Sequence, residues 1–150
     1  MATGQTARRE GFSAEERAAM KDHAKDLKAA ARGGSKAEKA AQARQDVLDK
    51  IAELDPADRV RAERVHAVVL AAAPQLEPKL WYGMPAYALD GKLLCHFQPS
   101  AKFKTRYPTL GFSDLAKLDD GALWPVAYAV TEMTAEVEKQ ITALVRQAIG

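Results

Sequence analysis

Apolar residues recur at helical spacing along the first half of the chain and alternate with polar ones through much of the second. Ser13 followed by Glu16 has capping-box spacing, and Met20, Ala24, Leu27 and Ala31 then form a narrow apolar stripe, so a helix is predicted that ends at Gly33-Gly34. Ser35 and Glu38 repeat the capping pattern, predicting a second helix to about Leu54 with Val47, Leu48 and Ile51 on its buried side. A third opens with Asp55 as cap and Pro56 in the first turn. Its Val65, Val68, Val69 and Ala72 lie on one face, and Pro74 stops it. A last helix opens near Thr134, with Glu136 and Glu138 complementing its dipole and Val137, Ile141, Leu144, Val145 and Ala148 as its stripe.

Between the third and last helices the pattern changes to strands and turns. Lys79–Tyr82, Ala86–Leu89, Lys92–Phe97, Phe103–Leu110 and Val126–Val130 are rich in aromatic or branched residues and are predicted strands. Asp90-Gly91 between two of them is a two-residue hairpin signal, because a type I′ turn needs positive φ at both positions. Gln98–Lys102 makes a longer reversal, and Asp119-Asp120-Gly121 another turn. The sum is an α+β fold, a small antiparallel sheet of about five strands packed with helices and preceded by an N-terminal helical hairpin. The predicted organisation is a disordered tail over 1–12, a helical extension over 13–54 and an α+β domain over 55–150.

Composition sharpens this. The chain has 150 residues and is 47% hydrophobic, but alanine supplies 30 of them, 20 within residues 1–73. Nine of the ten aromatics lie between Trp81 and Tyr128. A Trp or Phe buries on the order of 150–250 Å² and alanine far less, so the strong packing belongs to the second half. No run of about 18 apolar residues exists to span a membrane, and MATGQTARREGF has no apolar stretch of the secretory kind. One cysteine cannot make an internal disulfide or a thiolate zinc site, and the expected compartment is the cytoplasm. A formal charge of +2 is too balanced to dictate a nucleic-acid partner.

The motif Trp81-Tyr82-Gly83-Met84-Pro85-Ala86-Tyr87, preceded by Pro78 and followed by Gly91-Lys92, resembles the YdhG-like domains. That bacterial family is largely of unknown function and includes a frataxin-like iron chaperone. Phe97, Lys102, Gly111-Phe112, Trp124-Pro125 and the final helix extend the likeness over residues 47–149. The resemblance implies a frataxin-like α+β sandwich, and iron is the one cofactor it offers. Iron there would be held by carboxylates, which suit a hard cation. The residues available for that role are Asp55, Asp58, Asp119, Asp120 and Glu132, with the acids of the third helix interleaved with Arg59, Arg61 and Arg64. The competing reading makes these carboxylates caps, turns and solvated charges.

Catalytic constellations are sparse. Cys95 and His96 are adjacent on a strand and point to opposite faces, so they cannot form a dyad with each other. Leu93, Cys95 and Phe97 share a face, which makes Cys95 a small buried hydrophobe unless His66 of the covering helix reaches it. His23, His66 and His96 fall on three separate elements without metal-ligand spacing. Neither a nucleophile elbow nor a phosphate loop is present.

Binding surfaces are easier to draw. Alternation from Lys102 to Tyr107, with Leu94 opposing Tyr87 and Phe97 pairing Phe103, would set Tyr87, His96, Lys104 and Arg106 on one sheet face. Such a basic and aromatic face suits an anionic ligand, single-stranded nucleic acid or a protein partner, and its bland counterpart is a solvated sheet face. Trp81, Tyr82, Met84 and Trp124, near prolines at element ends, would line a shallow apolar pocket or else serve as core packing. The leading expectation is a non-enzymatic cytoplasmic binding or chaperone-like domain of unknown ligand, iron included. The alternatives are a partner-interaction protein using the basic sheet face, and a cysteine-dependent enzyme using Cys95.

Overall fold

The computed structural model describes residues 12–31 and 34–150. The tail expected over 1–12 lies outside them except for Phe12, as do Gly33 and the Ala31 side chain of the first stripe. Among the described residues, five helices and five strands follow the α+β plan: α1 (Ala14–Ala31), α2 (Lys36–Glu53), α3 (Pro56–Ala72), β1 (Glu77–Trp81), β2 (Met84–Leu89), β3 (Lys92–Gln98), α4 (Ser100–Phe103), β4 (Thr109–Phe112), β5 (Ala127–Ala129) and α5 (Ala135–Ile149). The strands form one open sheet in the order β1-β2-β3-β4-β5, every pair antiparallel.

The caps form where the sequence places them. Ser13, Ser35 and Thr134 hydroxyls accept from the backbone N–H groups of Glu16, Glu38 and Val137, each at 3.1 Å. Asp55 occupies the cap position of α3 but makes no side-chain capping bond. The core gathers Val47 and Ile51 of α2, Val65 and Val69 of α3, and Ile141 and Val145 of α5 around Tyr87, Cys95, Phe97 and Leu110. Burying such side chains contributes on the order of 1.5–3 kcal/mol each, so this cluster dominates stability.

Three expectations are corrected. The stripe on α1 faces outward: Met20 is 49% exposed and Leu27 59%, while Ala19 is buried and Asp22, His23 and Asp26 turn partly inward. Leu48 of α2 is likewise exposed. The inward residues of α1 meet the Lys102 ammonium, the Tyr82 ring and the Gly83 N–H, partners that Asp22, His23 and Asp26 suit better than an aliphatic stripe would.

The second correction is register. Leu89 pairs with Lys92 and Ala88 with Leu93, but Tyr87 then pairs with Cys95, so Leu94 is the extra residue of a bulge. One inserted residue reverses which face each later side chain takes. Tyr87 therefore lies on the core side with Cys95 and Phe97, and His96 lies on the other side with Ala86.

Third, the predicted strand Phe103–Leu110 is two things. Ser100–Phe103 is a helical turn, and only Thr109–Phe112 joins the sheet. The buried carboxylate of Asp58 drives this: Oδ1 accepts from the Ser100 hydroxyl and Oδ2 from the Ala101 N–H, both at 2.9 Å. A tertiary cap from α3 overrides the strand propensity of Phe103 and Tyr107. Lys104 closes the turn with a left-handed φ of 53°. His96 consequently opposes Gly111, and Phe97 opposes Leu110 rather than Phe103.

Candidate functional site

The β1–β2 turn organises the site. Trp81 and Met84 close the ladder, and the two residues between them, Tyr82 and Gly83, have φ of 51° and 73°. Positive φ at both central positions is the geometry that matches strand twist in a two-residue hairpin. It is unusual for a tyrosine, and it throws the ring sideways onto α1. His23 stacks on Tyr82 with centroids 4.0 Å apart and planes 8° from parallel. Tyr82 meets Trp81 edge-on at 5.0 Å, and Trp81 meets His96 at 5.0 Å. Four rings thus run from α1 over the end of β1 to the middle of the sheet. His96 lies close over Gly111, where a Cβ would come within 2.6 Å of the imidazole.

Gly83 is also where α1 docks. Its N–H donates to Asp26 at 3.3 Å, and a Cβ there would collide with the side chains of Asp22 and Lys102. Asp22 pairs with Lys102, and Glu15 with Lys104. Burial raises the Asp26 carboxyl above its ordinary value, opposed by the Gly83 hydrogen bond. The Glu15 carboxyl is lowered, first by its hydrogen bond with Lys104.

Where α1 and α2 meet β1 there is a cleft of about 510 Å³, within the range of small-molecule sites. Trp81, Leu80 and Pro78 form one wall, Ala40 and Ala43 of α2 another, and Leu27, His23 and Asp26 of α1 a third. Trp81 joins this cleft to the ring array.

The residues expected to bind ligand divide accordingly. Trp81, Tyr82 and His96 come together through their rings, with Met84 buried opposite Trp81. Tyr87 does not join them. It is fully buried, its hydroxyl 2.9 Å from His66 Nδ1, and burial pushes its phenol well up. Lys104 is held by Glu15, and Arg106 sits exposed beside its neighbour Tyr107. The basic sheet face is therefore absent, because its basic residues follow α4 rather than occupying a strand. Trp124 packs against the core from the β4–β5 connection. His23, Asp26 and Leu27 were not among the candidates. The spacing of Ala19, Asp22, His23 and Asp26 is i, i+3, i+4, i+7, a helical face that a search for apolar stripes passes over.

The carboxylates considered for iron do not converge. Asp55 and Asp58 start α3, Asp119 and Asp120 lie between β4 and β5, and Glu132 lies between β5 and α5. Asp58 is already engaged by Ser100, Ala101 and Arg61. Among the described residues no group of three or more His, Cys, Asp or Glu is placed to hold a metal ion. This donor set does not fit iron.

The cysteine dyad is not assembled either. His66 directs Nδ1 to Tyr87, and burial pushes the Cys95 thiol up to about 12, leaving it protonated and non-nucleophilic at neutral pH. Burial lowers both the His66 and the His96 imidazoles. No helix among the described residues is long and apolar enough to cross a membrane. No family, curated protein or solved structure matches the chain.

Proposed function

We propose that this chain is a cytoplasmic, non-enzymatic binding domain whose ligand occupies the cleft between α1, α2 and β1. The observation that carries the reading is the cleft itself: about 510 Å³, walled by Trp81, Leu80 and Pro78 and continuous with the array of His23, Tyr82, Trp81 and His96. A preformed concave site with an aromatic wall and a few polar groups is what small-ligand recognition uses. The protonated, buried Cys95 and its separation from the His66 hydrogen bond support holding over transforming. The resemblance of Trp81 to Lys92 to the YdhG-like domains supports the same reading, and a frataxin-like sandwich belongs to this proposal with it.

The test is amide chemical-shift mapping of the full chain against a library of small organic fragments. Saturable shifts grouped at Leu27, Ala43 and Trp81 are expected. Shifts confined to other surfaces, or none at all, would overturn the assignment.

A further inference from the structure

Charges around the cleft are sorted by depth. Lys36, Lys39 and Lys79 are all exposed at its rim, as are Glu38 and Glu77. The charged residues of the lining that are partly sheltered are carboxylates, Asp26 and Asp46. Asp46 already accepts from Gln42 Nε2 at 2.9 Å. Asp26 forms no ion pair among the described residues, and its one hydrogen bond comes from the Gly83 backbone.

Lys50 and His23 act on it only through space, Lys50 being paired with Glu53, so this partly buried carboxylate has lost hydration without gaining a counter-ion in contact. The same cleft is lined by Trp81, the type of side chain whose ring best attracts a cation. Leu27, Leu80 and Pro78 add apolar surface around both. Resting on the cleft reading, we propose that the ligand is a small organic cation: an amine on an apolar or aromatic body, its ammonium on Asp26 and its body against Trp81. The sheltered charge has the sign opposite to the one an anionic ligand requires. Lysines at the rim can turn outward to solvent, whereas Asp26 is held by its backbone bond and by the packing of α1.

The experiment is calorimetric titration of the unaltered full chain, at low salt and neutral pH, with three probes of one shape: 2-phenylethylammonium, 2-phenylethanol and 3-phenylpropionate. The ammonium is expected to bind at least about tenfold tighter than either control, the factor that one charge-assisted contact of about 1.4 kcal/mol supplies. Asp26→Asn should remove most of that preference. Binding of the alcohol or the carboxylate as tightly as the ammonium overturns the cation assignment and leaves the cleft reading standing. Absence of binding by all three overturns both. The comparison among probes needs no variant, so a folding defect in Asp26→Asn does not obscure it.

Discussion

His23 lies flat against Tyr82, with ring centroids 4.0 Å apart, and its Nδ1 is buried without a hydrogen-bond partner among the described residues. The stack therefore holds α1 through ring contact, while the nitrogen contributes nothing to it. His23→Ala should destabilise α1 docking by about 1 kcal/mol, the usual worth of an aromatic pair. His23→Phe should match or exceed the parent, because it keeps the ring and discards an unsatisfied polar atom. Amide hydrogen exchange along α1 reads both. Equal loosening in the two variants would show that the nitrogen matters.

His96 and Gly111 make a second close relationship, with room for no Cβ between them. Gly111→Ala should cost about 1–3 kcal/mol by forcing the imidazole off the strand. In a His96→Ala background the same change should cost much less, since the obstructing ring is gone. A double-mutant cycle in urea measures the difference. Additive effects would contradict the contact.

Asp58 is a buried anion with three partners: the Ser100 hydroxyl, the Ala101 N–H and the Arg61 guanidinium at 3.7 Å. Asp58→Ala should cost about 3 kcal/mol or more, because the groups it satisfies lose their acceptor. The damage should be local first. Exchange of the Ala101 and Thr105 amides should accelerate ahead of those in β2 and β3. A loss well below 1 kcal/mol would mean that α4 holds itself.

Acid should weaken the domain through its histidines. Burial lowers His66 and His96 below the ordinary 6.5, so the native state resists the proton that the unfolded chain accepts. Their contribution is complete above 6.5 and is lost as pH falls through the lowered native values. Asp26, raised above 3.8, acts in the opposite sense in its own lower window, where protonation relieves its burial. The urea midpoint should therefore fall between pH 8 and pH 5, and less steeply in His66→Gln. An unchanged slope in that variant would remove His66 from the account.

Much of the fold could be read from local signals. Ser13, Ser35 and Thr134 cap because a hydroxyl at that spacing has a backbone N–H waiting for it, wherever the helix later packs. Asp90-Gly91 turns because the two residues tolerate positive φ of 50° and 81°. The misread parts depend on distant residues. Nothing near Phe103 announces that Asp58, over forty positions earlier, will cap a helical turn at Ser100. Nor does the run Lys92–Phe97 reveal that Leu94 is skipped in the ladder, which moves Tyr87 from the expected binding face into the core. Asp26 was missed for the same reason: its meaning comes from Gly83, which reaches it only after β1 has turned.

The sheet keeps chain order, each strand lying beside the one before it. The β1–β2 and β2–β3 pairings close across two-residue turns, so the ribbon can zip outward from the Asp90-Gly91 hairpin, with β4 and β5 added in order across longer connections. α5 brings the longest-range part of the core, setting Ile141 and Val145 in one cluster with Val65 and Val69 of α3. Ribosomal synthesis delivers that last helix after everything it has to cover.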